Sequence, residues 1–137
     1  MARFGVVNER AERANATEFV DKLSIRTPSL RQLMVNLSGG NQQKAILARW
    51  LSETVKVILF DEPTRGIDVG AKSEIYSLIG QLARDGIGVL IASSELPEVL
   101  GISDRILVMR QGKLVGCVDR EEASEERLLR LALPVAD

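Results

Sequence analysis

The chain has 137 residues, 45% apolar and 27% charged, with a net charge of −1, one cysteine and no histidine. That length suits about one domain with a single core, and the charge balance argues against a generally basic nucleic-acid surface. The absence of histidine removes imidazole bases, imidazole metal ligands and Ser-His-Asp triads.

No apolar run approaches the roughly 20 residues that span a bilayer. The first stretch, MARFGVVNERAERANATEF, lacks the apolar core of a signal peptide. A lone Cys117 cannot form an internal disulfide and fits a reducing compartment.

In chain order, residues 9–23 carry spaced apolar side chains among charges and predict a helix. Residues 25–33, around Pro28, predict a loop. The run LSGGNQQKAILARWLS offers a capping serine, two glycines and an amphipathic helix over 41–52. VKVILF (55–60) predicts a strand buried on both faces. In AKSEIYSLIGQLARDG, Ile75, Leu78, Ile79 and Leu82 keep helical spacing up to Gly86. GVLIAS (88–93) predicts a second buried strand, and SELPEVLG a short helix or turn. RILVMR and KLVGCV flank Gln111-Gly112, a hairpin signal. EEASEERLLRLAL predicts a helix opening on acidic residues, the sense that the helix dipole favours. Alternating helix and strand predict an α/β fold with a mostly parallel sheet flanked by helices.

Two stretches carry chemistry. In VILFDEPT (57–64) a strand delivers Asp61 and Glu62 at its carboxyl end, where ligands of open α/β sheets bind. Asp61 suits Mg²⁺, a hard cation that prefers oxygen, and Glu62 suits the orientation or deprotonation of a water. The same residues also fit a solvated acidic turn. In LSGGNQQK (37–44), Ser38, Gly39 and Gly40 open a helix whose unpaired N–H groups and dipole attract an anion. Taken alone, they fit a plain helix cap equally well.

The run from LSGGNQQK to VILFDEPTRGIDVGAKSEIYSLI resembles the ATP-binding subunits of ABC transporters. It is most similar to the second nucleotide-binding half of ribose/galactose/arabinose-type sugar importers. LSGGNQQK matches the signature, VILFDE the Walker B motif and RGID the D-loop, and SSELPEVLGISDRILVMRQGKLVG resembles the family's downstream segment. The resemblance is strong over roughly 30–118.

It implies the C-terminal portion of a P-loop NTPase domain, with residues 1–50 as a helical part and 51–137 as an α/β core. It also implies Glu62 as catalytic base, and Ser38, Gly39, Gly40, Asp61, Asp68 and Ser94 as nucleotide-binding residues. Asp61 is then the Mg²⁺ holder as well, and ATP and Mg²⁺ are expected only in a complete or partnered site. The partners implied are a Walker A-bearing half and membrane permease subunits, with a homodimer as a further option. The location implied is the inner face of the cell membrane, peripheral and cytoplasmic.

GIDVGAKS (66–73) imitates the phosphate loop G-x-x-x-x-G-K-[ST] with Ala71 in place of its second glycine, but it lies five residues past its strand. It is therefore read as the D-loop, and the 137 residues hold no other match. The expected consequence is weak ATP affinity and no turnover by the chain alone. Ser94 stands where many relatives carry a γ-phosphate-contacting histidine; it can donate a hydrogen bond but carries no positive charge. The alternative to a clamp for a partner's ATP is a non-catalytic interaction module. Trp50 and Cys117 are expected in packing roles, with Cys117 as a small buried hydrophobe.

Overall fold

The computed structural model describes residues 2–3, 6–52 and 54–133. They form two compact units divided between Leu90 and Ile91.

In the first unit, Ala2–Arg3 (β1) and Val6–Val7 (β2) pair antiparallel, Ala2 opposite Val7. The periodic segment forms Glu9–Lys22 (α1), opened by the Asn8 side chain, which accepts the Ala11 N–H at 3.1 Å. Its end is a Schellman turn. Ser24, at φ 50°, donates to Asp21 O (3.1 Å), and Ile25 donates to Val20 O (2.8 Å). Gly39–Leu51 (α2) and Val69–Arg84 (α3) follow, with Val57–Asp61 (β3) between them. The second Schellman turn closes α3, with Gly86 at φ 86° donating to Ala83 O and Ile87 to Leu82 O.

Gly88–Ala92 (β4) is the hydrogen-bonded neighbour of β3 in a parallel sheet, the pair joined through α3. The end of α1 packs on α2 through Phe19, Leu23 and Ile25 against Ala45, Ala48 and Leu51. Leu47 of α2 and Leu82 of α3 meet Ile58 of β3. Each such buried side chain contributes roughly 1.5–3 kcal/mol.

β3 departs from the two-sided burial that its composition predicts. Ile58 is 8% exposed, but Val57 and Leu59 on the opposite face are 59% and 72% exposed. The physical reason is that α2 and α3 both pack on the Ile58 side. Within this unit, Trp50, Ile46, Val57 and Leu59 line an open apolar groove of about 380 Å³, with Asp61 and Pro63 at its edge. Trp50 is 63% exposed, so it does not serve this unit's core.

The second unit contains Leu96–Ile102 (α4), Arg105–Arg110 (β5), Lys113–Asp119 (β6) and Glu125–Ala132 (α5). β5 and β6 form the expected antiparallel hairpin. Gln111 and Gly112 have φ of 49° and 75°, the left-handed pair of a two-residue hairpin loop. Leu128 of α5 packs on Ile106, Val108 and Val118, and Ser124 caps α5 by accepting the Arg127 N–H at 3.2 Å. Cys117 corrects its sequence reading. It is exposed, because it pairs with half-exposed Leu107 on the hairpin face opposite Val118.

Candidate functional site

The start of α2 is built differently from the starts of the other long helices. Asn8, Asp68 and Ser124 each cap their helix through a side-chain oxygen. Ser38 has the extended backbone of an N-cap, φ −62° and ψ 154°, yet makes no side-chain capping bond. Its Oγ instead accepts from Asn41 Nδ2 at 2.8 Å. The first amides of α2 are therefore left without a side-chain cap, the local condition for anion binding at a helix start.

Gly39 and Gly40 are required for packing. A Cβ on Gly39 would lie 2.9 Å from Ile67 Cγ2, and one on Gly40 only 2.7 Å from Ala71 Cβ. The start of α2 thus rests directly on the loop before α3 and on the first turn of α3. GIDVGAKS consequently contributes a helix contact here. Asp68 Oδ1 accepts the Ala71 N–H at 2.9 Å, so a carboxylate of the chain itself satisfies the first turn of α3. That agrees with the loop being a mimic of a phosphate loop.

A polar network ties these parts together. Lys44, on the same face of α2 as Gly40 and Leu47, is 5% exposed. Its Nζ donates to Glu74 Oε2 of α3 at 2.8 Å and to Ser24 O at 3.3 Å. Glu74 also faces Arg26 at 3.6 Å. The hydrogen bond from Lys44, then its charge, holds the Glu74 carboxyl below its ordinary value; desolvation opposes this, the Arg26 charge assists and the Asp68 charge opposes. Arg26 N–H donates to Asn41 Oδ1 at 2.8 Å. Ser38, Gly40, Asn41, Asp68, Glu74 and Arg26 surround a cavity of about 250 Å³.

Of the residues expected at the site, Ser38, Gly40 and Asp68 therefore share one cavity, and Gly39 adjoins it. Asp61 ends β3 at the edge of the other, apolar groove. Glu62 follows it at φ 48°, a left-handed conformation that costs a non-glycine residue about 1–2 kcal/mol. Such local strain concentrates at functional positions. The Glu62 carbonyl closes the following turn by accepting Arg65 N–H at 3.1 Å, and Thr64 within it is 1% exposed. Ser94 lies in the second unit, in the exposed turn between β4 and α4.

Sequence reasoning passed over Arg26, Asn41, Lys44 and Glu74. The available signal was Lys44 itself, a charge at i+4 from Gly40 and i−3 from Leu47 on a buried stripe, which requires a carboxylate partner.

As donors for Mg²⁺, the residues at the end of β3 offer hard carboxylate oxygens. Among the described residues no group of three or more potential ligands forms a cage.

The fold and these motifs are similar to part of an ABC ATPase domain: an α/β unit with a helix that opens on Ser-Gly-Gly and a strand that ends in Asp-Glu. Residues 3–65 match the ABC transporter family. The arabinose import ATP-binding protein AraG of Yersinia pestis is 62% identical over 128 residues, 93% of this chain and 24% of that protein. The protein of the same name from Mannheimia succiniciproducens is 57% identical over 128 residues, 93% of this chain and 26% of that one.

Among solved structures, a metal-chelate type ABC transporter in an inward-facing conformation superposes with a TM-score of 0.79 at 22% identity, over 96% of this chain and 52% of that one. The ATP-binding cassette MJ1267 superposes with a TM-score of 0.75 at 25% identity, over 96% and 53%. The chain thus spans about a quarter of the curated relatives, along their C-terminal part, and about half of the solved chains.

Proposed function

We propose that this chain is the signature-bearing part of an ATP-hydrolysing subunit that energises carbohydrate import, arabinose being the sugar in its relatives' name. Ser38, Gly39 and Gly40 close over the γ-phosphate of ATP held by a Walker A-bearing half, in the head-to-tail pairing of ABC ATPases. Their contribution is positioning and charge stabilisation of phosphoryl transfer to water. In this half's own site, once completed by a Walker A loop, Asp61 would hold Mg²⁺, which would screen the phosphate charge. In that same site Glu62 would orient the attacking water and accept its proton, and Asp68 and Ser94 are further candidates for contact with nucleotide. The subunit works against membrane permease subunits on the inner face of the cell membrane.

The observation that carries this reading is the uncapped start of α2, where a serine in capping position leaves the helix amides to another ligand. The test is ATP turnover by a separately purified nucleotide-binding half with an intact G-x-x-x-x-G-K-[ST] loop, measured with and without this chain. The wild-type chain is expected to stimulate turnover, and Ser38→Arg to abolish the stimulation. Binding of the wild-type chain without stimulation would favour the interaction module instead, a reading supported by the open apolar groove beside Trp50.

A further inference from the structure

We infer that Asn41 is a positioning residue that fixes the Ser38 hydroxyl as a hydrogen-bond donor towards the bound phosphate. The inference rests on the reading of α2 as a phosphate clamp. A serine hydroxyl can donate or accept, and an anion is served only by the donating form.

The choice is made by the chain itself, one atom at a time. The backbone N–H of Arg26 can only donate, so the Asn41 side-chain atom 2.8 Å from it is the carbonyl oxygen. The amide nitrogen of Asn41 is then the atom facing Ser38 Oγ at 2.8 Å. An amide NH₂ can only donate, so Oγ accepts, and the serine's own proton is left for a different acceptor. Ser38 is also spared from capping its helix, the role in which its oxygen would be spent on a backbone amide.

The anchor of this relay is rigid on the far side. Arg26 follows directly on the Schellman turn of α1, whose Ile25 is 7% exposed and whose Ser24 carbonyl receives buried Lys44. Glu74 holds Lys44 and faces the Arg26 guanidinium, so α1, α2 and α3 all fix the place where the Arg26 N–H points. Asn41 acts on the nucleotide only through Ser38, which separates it from a residue that contacts the ligand.

The test is the substitution Asn41→Asp, which preserves shape and keeps an oxygen for Arg26 N–H. It removes the donor to Ser38, so the serine proton is drawn inward to the new carboxylate. The experiment uses the 137-residue chain and the same Walker A-bearing half, and reads the stimulated kcat, the chain concentration for half-stimulation and the urea midpoint of the chain. Asn41→Asp is expected to lower stimulated kcat tenfold or more, with half-stimulation and urea midpoint little changed.

In a Ser38→Ala background the same substitution is expected to have no further effect, since the hydroxyl it acts through is gone. An equal loss in both backgrounds would mean that the added charge acts directly, and would overturn the inference while leaving the clamp standing. Full stimulation by Asn41→Asp would overturn it in the same way. If the wild-type chain fails to stimulate at all, the clamp reading falls and the positioning role falls with it.

Discussion

The contact between Gly40 and Ala71 gives a quantitative test of why the signature needs its second glycine. A methyl added at Gly40 would lie 2.7 Å from Ala71 Cβ, whereas carbon atoms pack best at about 3.5–4.0 Å. Both carbons are fixed to helix backbones, so no rotamer relieves the overlap of roughly 1 Å, and α2 and α3 must separate. Overpacking of this kind costs about 1–3 kcal/mol. Replacing glycine by alanine in a helix returns up to about 1 kcal/mol, and less in the first turn. The clash wins, and Gly40→Ala is expected to destabilise the chain by about 1–2 kcal/mol. With a urea slope of about 2 kcal/mol/M, within the usual range for a small protein, the midpoint falls by roughly 0.5–1 M.

The single tryptophan, Trp50, lies on α2 and reports the transition by fluorescence. In an Ala71→Gly background the clash is gone, and the same substitution is expected to be neutral or stabilising. The coupling between the two sites is then about 1–3 kcal/mol. If Gly40→Ala leaves the midpoint unchanged, or costs the same in both backgrounds, the packing argument is wrong. The glycine would then serve the approach of a phosphate alone.

Three further outcomes follow from the same geometry. The Glu74 carboxyl titrates below its ordinary value of 4.5, so its share of stability is complete above 4.5 and is lost as pH falls through the lower folded value. Glu74→Gln should flatten the fall of the urea midpoint below pH 4.5, and parallel acid limbs in the two proteins would contradict the ion pair. Cys117, the sole thiol, should react with a thiol reagent to one equivalent per chain without denaturant; reaction only after unfolding would show that β6 is turned the other way. Gln111 sits at φ 49° in the hairpin turn, where asparagine is better tolerated. Gln111→Asn should therefore stabilise by about 0.5–1 kcal/mol, read as a higher urea midpoint by circular dichroism, and a lower midpoint would refute the turn geometry.

What the sequence made legible depends on how far apart the interacting residues are. The helices were readable because their signals are local: the apolar spacing of Ile75, Ile79 and Leu82 lies within two turns, and Gly86 marks the turn that ends α3. The hairpin was readable because Gln111-Gly112 stands between two apolar runs. Which face of each strand is buried was not readable. VILF gives no alternation to choose between Ile58 and Leu59; the side taken by α2 and α3 decides it. Cys117 was misplaced for a related reason. Val108 pairs with Gly116 but Met109 with Leu114, so Val115 is an extra residue that shifts the alternation along β6.

The site shows the same division. The motif LSGGNQQK located the start of α2, but the partners that give its residues roles lie elsewhere in the chain. Asn41 meets Arg26 15 positions away, and Lys44 meets Glu74 30 positions away. A motif therefore locates a helix start, while the tertiary contacts of its polar residues decide which of its atoms are already engaged. Ser38 is the case in point: by sequence it fits a helix cap or an anion site, and by structure it makes no side-chain cap bond and its oxygen accepts from Asn41.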